Sequence, residues 1–154
     1  MQNLAATKAA IMVSPQSATD PTESYVDTLG FDSALVLISL GATGASGISA
    51  LKLQESDASG SGYTDIVDFD GDATYTDIEG STLALPGAGN DDEVWVVHLD
   101  LRGRKRYLKC VVDSATNASV LGVTAVLGRA GESIATNAGH TSSTVGGAGV
   151  FVEI

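Results

Sequence analysis

Apolar residues alternate with polar ones along much of the chain, and this period of two constrains the fold more than any other feature. Every second residue from 95 to 101 is a large apolar residue, and the alternation resumes after an Arg-Gly-Arg sequence at residues 102–104. Side chains two residues apart lie on the same side of a strand, so each segment should bury one face. We predict a β-hairpin over residues 94–112 that turns at residues 102–104. Its inward side chains should be Trp95, Val97, Leu99 and Leu108.

Other segments carry the same strand pattern. Residues 51–54 and 120–127 alternate apolar with polar or small side chains, whereas residues 34–40 are apolar almost throughout. The latter composition is typical of a central strand that is covered on both faces, or on one face by a neighbouring subunit. Weaker strand patterns occupy residues 63–67, 82–85 and 150–154.

The fold predicted from these strands is all-β, an antiparallel β-sandwich or jelly-roll-like barrel with little helix. The Ala-rich residues 3–12 form either the one helix or an extended arm. A chain of 154 residues has room for one compact domain. We divide it into an N-terminal arm (1–15), a β domain (16–136), and a Gly-rich segment with a C-terminal strand (137–154).

The charge of the chain argues against two classes of partner. Nineteen acidic residues against eight basic ones give a net charge of −11, which repels nucleic-acid phosphates and anionic membranes. The longest apolar run, residues 34–40, is far shorter than the roughly 20 residues that a membrane-spanning helix needs. We therefore expect neither nucleic acid nor a membrane as a partner.

Basic residues are concentrated at one place. Five of the eight lie within residues 102–109, at the turn of the predicted hairpin. A positive tip on a negative body can dock an acidic partner or the acidic surface of another copy. We predict an interface there; the alternative is a solvated turn whose charges blunt a sheet edge. The predicted interface residues are Arg102, Arg104, Lys105 and Arg106.

Catalytic and cofactor patterns are weak. The single cysteine, Cys110, falls on a core-facing position, where apolar surroundings keep a thiol protonated and unreactive. The Gly-rich residues 41–47 resemble a dinucleotide-binding turn, but that turn must open a helix, and residues 51–54 alternate like a strand. We predict no catalytic residues, no cofactor and no enzymatic activity.

A calcium loop is the one metal site that the sequence suggests. Asp68, Asp70, Asp72 and Glu79 stand at positions 1, 3, 5 and 12 of an EF-hand-like loop. The sixth position, where such a loop needs glycine, is Ala73, and flanking amphipathic helices are missing. We predict a solvated acidic loop and no metal, with a calcium-dependent binding module as an alternative function.

Three blocks of the sequence resemble the capsid decoration, or cement, proteins of tailed bacteriophages. The first is Tyr-Val-Asp-Thr-Leu-Gly-Phe-Asp at residues 25–32, before the apolar strand. The second joins Leu-Lys-Leu-Gln-Glu-Ser-Asp at 51–57 to Tyr-Thr-Asp-Ile at 63–66. The third joins Gly-Arg-Lys-Arg-Tyr-Leu at 103–108 to Val-Thr-Ala-Val-Leu at 123–127.

The resemblance implies a structural virion protein without a cofactor or active site. Such a protein binds the outside of the capsid, over junctions between subunits of the major capsid protein, and reinforces the shell. Its partners would be the major capsid protein and itself, as a homo-oligomer for which a trimer is expected. It would be assembled in the host cytoplasm and reside on the capsid exterior. A tail or baseplate structural subunit is the alternative that fits the same features.

Overall fold

Every secondary-structure element of the described residues is a β-strand. The computed structural model describes residues 7–66, 74–76, 82–114, 116–129 and 149–153, with 74–76, 82–84 and 149–153 described for the backbone alone. No helix occurs in these ranges. The strands are β1 (Thr7–Ala18), β2 (Tyr25–Asp27), β3 (Ser33–Leu40), β4 (Ile48–Ser56), β5 (Thr64–Asp65), β6 (Thr74–Thr76), β7 (Thr82–Ala84), β8 (Val94–Asp100), β9 (Tyr107–Ser114), β10 (Ser119–Gly128) and β11 (Gly149–Glu153).

Two sheets form the body of the fold. The five-stranded sheet has the order β1-β10-β3-β8-β11, the four-stranded sheet has the order β2-β9-β4-β5, and β6 pairs with β7 separately. All pairs are antiparallel except β11 with β8, which is parallel. The prediction of an all-β fold built from antiparallel sheets is confirmed. The three weaker strand patterns are also strands, as β5, β7 and β11.

The core lies between the two sheets. Alternate residues of both sheets are almost fully buried and form one hydrophobic cluster. Trp95 is 2% exposed, and the indole Nε1 donates a hydrogen bond to Glu93 Oε2 at 3.3 Å. The predicted inward side chains of β8 and β9 all belong to this cluster, which confirms the strand faces: Trp95, Val97, Leu99 and Leu108.

The predicted hairpin is wrong, although its inward faces are right. β8 pairs with β3 and β11, whereas β9 pairs with β2 and β4, so the two strands lie in different sheets. The connection at residues 101–106 is an arch that crosses from one sheet to the other. Alternation determines which face of a strand is buried but not which strand lies beside it, because an arch and a hairpin bury the same side chains.

The Ala-rich N-terminal segment forms a strand from Thr7 onward, so the helix alternative is wrong there and the extended alternative is confirmed. Residues 1–6 lie outside the described residues. The propensity of alanine for helix is a weak preference, which pairing with β10 along Thr7–Ala18 overrides. Register shifts between Ile11 and Val13, and between Val13 and Gln16, bend this strand near Pro15.

The apolar strand β3 is the centre of its sheet, as its composition predicts. It pairs with β10 on one side and β8 on the other. Val36 and Ile38 are fully buried in the core, whereas Leu35 and Leu37, on the opposite face, are half-buried. The sandwich core therefore covers one face of β3, and the second face belongs to the outer surface of the five-stranded sheet.

Candidate functional site: the tip of the sandwich

The arch between β8 and β9 is held by a compact set of hydrogen bonds. Arg102 binds Asp100 through Nε and Nη2, with Nη2 donating to Oδ2 at 2.6 Å, and its backbone N–H donates to Oδ1 at 3.0 Å. These bonds hold the pKa of the Asp100 carboxyl well below its usual range. Gly103 has a φ of 82°, in the left-handed region that favours glycine. The turn is therefore fixed by its own sequence.

The next two cations connect the arch to the four-stranded sheet. The Nη1 of Arg104 lies 3.9 Å from Glu55 Oε2, and its Nε donates to the carbonyl of Asp100 at 3.1 Å. Lys105 donates from its backbone to Glu55 Oε2 at 3.4 Å and from Nζ to Thr64 Oγ1 at 3.0 Å. Both side chains are only partly exposed. They bridge the arch to β4 and β5.

Arg106 is held by a two-point ion pair. Its Nε donates to Asp27 Oδ1 at 2.9 Å, and its Nη2 donates to Oδ2 at 2.6 Å. The bonds from Arg106 lower the pKa of Asp27 to about 2, and the backbone N–H of Leu29, which donates to Oδ1 at 3.0 Å, adds to this effect. The Arg106 carbonyl accepts both the N–H and the hydroxyl of Thr28. Residues 27–29 and Arg106 are thus joined by five hydrogen bonds.

Exposed aromatic and aliphatic side chains lie beside this ion pair. The ring of Tyr107 packs edge-to-face against Tyr25 with centroids 5.5 Å apart, and the guanidinium of Arg106 lies 5.0 Å from the Tyr107 centroid. Tyr25 is 50% exposed and Leu29 is 66% exposed. We call Tyr25, Leu29, Arg106 and Tyr107 the tip patch.

The patch differs from the positive tip that the sequence predicts. All four predicted cations have partners within the chain, and the carboxylates of Asp27, Glu55 and Asp100 lie among them. The tip is therefore almost neutral, and its exposed Leu29 and Tyr25 are residues that the sequence analysis missed. A polar-apolar alternation cannot reveal them, because Tyr25 lies on a three-residue strand and Leu29 in a loop.

Cys110 lies in the core, and the Gly-rich residues 41–47 form a loop. Cys110 is fully buried, and burial raises the pKa of its thiol. Residues 41–47 connect β3 to β4, as predicted, and Thr43 is tied down there by Asp91 Oδ1, which accepts its N–H at 2.7 Å and its hydroxyl at 2.9 Å. The calcium-loop residues Asp68, Asp70, Asp72 and Glu79 lie outside the described residues.

In residues 7–66, 85–114 and 116–129 no group of three or more His, Cys, Asp or Glu side chains could hold a metal ion. Among the same described parts of the chain, none is a helix long and apolar enough to cross a membrane.

Comparison with known proteins finds a similar structure but no matching sequence family. No family model matches the sequence, and no curated protein matches it significantly. The crystal structure of the SPBc2 prophage-derived protein YomS is similar to this chain, with 18% sequence identity and a TM-score of 0.44. The similarity covers 79% of this chain and 93% of YomS. At this degree of similarity, the function has to be argued from the chain itself.

Proposed function

We propose that this chain is a structural virion protein of a tailed bacteriophage. It binds the outside of the capsid at junctions between major capsid protein subunits and stabilises the shell. One observation carries the proposal: the tip patch presents exposed tyrosine and leucine side chains beside an arginine that is already fixed. Tyr and Arg, with Trp, are enriched among the residues that contribute most to binding between proteins.

Parts of the three sequence blocks that resemble decoration proteins meet around the arch between β8 and β9. Tyr25, Asp27 and Leu29 come from the first block, Glu55 and Thr64 from the second, and Arg106 with Tyr107 from the third. The contacts between blocks are the Asp27–Arg106 pair, the Glu55–Arg104 pair and the Thr64–Lys105 hydrogen bond. Segments far apart in sequence are thus brought to one surface, which supports a shared role in binding.

The geometry suggests how such a protein would reinforce a shell. The two-point pair with Asp27 holds the Arg106 side chain before any partner arrives, so less conformational freedom is lost on binding. Apolar contacts by Leu29 and Tyr25 would then supply most of the affinity, since exposed ion pairs contribute only about 0.2–1 kcal/mol each. Many copies, each making a modest contact across a junction, would strengthen the shell without any catalytic step.

Co-sedimentation with shells tests the proposal. Shells assembled from the major capsid protein of the same phage, without this protein, are mixed with the wild type or with the double variant Leu29→Asp/Tyr25→Asp. We expect the wild type to pellet with the shells and the variant to lose binding by tenfold or more. Ala45→Asp is the matched control, because Ala45 is exposed in the loop after β3, at the opposite end of that strand from the tip.

Copy number in the virion separates the capsid from the tail. Quantitative mass spectrometry of purified virions should find this protein in hundreds of copies if it covers the capsid. A few copies, located on the tail, would contradict the proposal and favour the tail or baseplate alternative. Equal binding of the wild type and the double variant to shells would also contradict it.

A further inference from the structure

The outer side of the four-stranded sheet carries a row of aromatic and polar side chains that crosses all four strands. Its members are Cα partners of one another, on β2, β9, β4 and β5 in turn. The residues next to them in sequence belong to the hydrophobic core, so the row lies on the solvent side: Val26, Leu53, Ile66, Leu108 and Cys110. We call the row itself the polar row: Tyr25, Lys109, Gln54 and Asp65.

One end of the polar row is a fixed hydrogen-bonded group. Lys52 Nζ donates to Asp65 Oδ2 at 3.0 Å, and Gln54 Nε2 donates to Asp65 Oδ1 at 2.6 Å. A carboxylate can accept about four hydrogen bonds and an ammonium group can donate about three, so Asp65 and Lys52 keep capacity for a ligand. Because the three side chains hold one another, they have little conformational freedom left to lose on binding.

Three tyrosines lie at the other end. Tyr107 packs edge-to-face against Tyr25, and Tyr63 lies beside Lys109, whose Nζ is 5.9 Å from the centroid of the Tyr63 ring. Burial raises the pKa of the Tyr63 hydroxyl, and the nearby Tyr25 and Tyr107 add to this effect, so the three phenol groups lie close together. The Tyr63 hydroxyl donates to the carbonyl of Ser59 at 3.0 Å, which fixes the ring.

The charges along this surface are paired. Lys52 forms an ion pair with Asp65, and Lys109 forms one with Glu23. A surface whose charges are already compensated gives no electrostatic advantage to a phosphate, a sulfate or a cationic group. The net charge of −11 on the whole chain further disfavours anions. The ligand that fits this surface is therefore uncharged.

Hydrogen-bonding chemistry narrows the class of ligand further. An apolar partner would take Asp65 and Lys52 out of water without replacing the hydrogen bonds they make to it, which costs free energy. A proline-rich segment also packs on aromatic side chains, but its prolines have no N–H to donate to the Asp65 carboxylate. A sugar hydroxyl both donates and accepts. The weakly positive C–H groups of a pyranose ring also pack well on the negative face of an aromatic ring.

We propose that the polar row is a binding site for an uncharged oligosaccharide. The hydroxyls of one sugar unit exchange hydrogen bonds with Lys52, Gln54 and Asp65, while a neighbouring unit packs against Tyr63. Three strand spacings of about 4.8 Å make the row roughly 14 Å long, which is enough for a short oligosaccharide. This site goes beyond the proposed function and does not depend on binding to shells.

NMR titration of the isotope-labelled chain tests the proposal. The probes are trisaccharides of glucose, galactose, mannose and N-acetylglucosamine, each at up to about 10 mM, a concentration that reveals even weak binding. We expect at least one of them to shift the backbone amide signals around Lys109, Gln54 and Asp65. Tyr63→Ala removes an aromatic surface and Asp65→Asn disrupts the hydrogen-bonded group, so each should raise the dissociation constant about tenfold or more.

Asp113→Asn is the matched control for Asp65→Asn. Asp113 is the Cα partner of Ala50 on the same side of the sheet, toward the end of β9 that lies away from the polar row. It makes the same change in charge and should leave the titration unchanged. Asp65→Asn keeps every residue of the tip patch, so it should still pellet with shells, and the two proposals can fail separately.

Several results would overturn the proposal. These are the absence of shifts with all four trisaccharides, shifts that map to another surface, and equal affinity of the wild type, Tyr63→Ala and Asp65→Asn, with circular dichroism showing both variants folded. Tighter binding of a sulfated or sialylated oligosaccharide would show that the uncharged class is wrong. Shifts along the polar row with a proline-rich peptide, but with no sugar, would identify a peptide as the partner instead.

Discussion

Asp27 links the stability of the tip to pH. Its carboxylate accepts two hydrogen bonds from Arg106 and one from the backbone of Leu29, and its pKa falls from 3.8 to about 2. A carboxyl group with a lowered pKa in the folded state stabilises the fold above its unfolded pKa. The stabilisation disappears as the pH falls through the folded pKa.

The first prediction is that Asp27→Asn removes this pH dependence. Between about pH 4 and pH 2 the wild type should lose stability that the variant never has. Because Asp27 and Arg106 are partly exposed, the difference near neutral pH should be only about 0.2–1 kcal/mol. Urea unfolding of the wild type and the variant, near neutral pH and near pH 3, measures the difference in their free energies of unfolding. An equal loss of stability in the two proteins on acidification would show that other carboxyl groups dominate.

A second prediction concerns the backbone of the arch. Gly103→Ala should destabilise the fold by about 1 kcal/mol, because the φ of 82° is unfavourable for a residue with a Cβ. A Cβ at this position meets no atom within 4 Å, so the cost comes from the backbone and not from a clash. Gly60→Ala, where no atom lies within 4 Å and φ is not positive, is the control. Thermal unfolding compares the two variants with the wild type. If Gly103→Ala and Gly60→Ala have equal melting temperatures, the backbone conformation at Gly103 does not require glycine.

At the scale of elements, strand position should set the order of amide protection. β3 and β10 are hydrogen-bonded on both sides, whereas β2 and β5 are short edge strands. Hydrogen exchange should therefore be slowest for buried positions of β3 and β10, and fastest for β2, β5 and the arch. Rapid exchange across β3 would contradict the central place of this strand.

The same elements show what the sequence could and could not predict. Alternation correctly indicates the buried faces of β4, β8, β9 and β10, because burial depends on which side chains are apolar. Strand partners depend on contacts between distant segments, so the pattern alone predicts a hairpin where the fold has an arch between β8 and β9. At the candidate site the sequence predicts the cluster of four cations but not their partners Asp27, Glu55 and Asp100, since two of these come from other strands.

At the scale of the whole molecule, the internal pairing of the cations changes the expected salt dependence of binding. Arg102, Arg104 and Arg106 already neutralise carboxylates of their own chain. Replacing all three by Glu would break these pairs and place like charges together, so loss of shell binding by that variant would not identify a contact. Single substitutions of Leu29 and Tyr25 are more informative.

The corresponding prediction is that shell binding depends weakly on salt. We expect affinity to change about two- to threefold over a tenfold rise in ionic strength, because apolar contacts are not screened and the cations are already paired. Co-sedimentation at several salt concentrations checks this, with Leu29→Ala as a variant that should weaken binding at every salt concentration. A steep decrease of wild-type binding with salt would instead identify the cations as the main contacts.

The strand order has a consequence for how the chain folds. Among the named strands, only β4 with β5 and β6 with β7 pair with a neighbour in sequence, and β1 pairs with β10 across most of the chain. Such long-range pairing slows folding, to milliseconds or seconds in small β proteins. During synthesis, β1 stays without its partner until residues 119–128 have left the ribosome. The apolar residues Ile11 to Val13 can then contact other nascent chains. Lys8 and Pro15 flank this segment, where a charge and a proline disfavour aggregation through β-pairing.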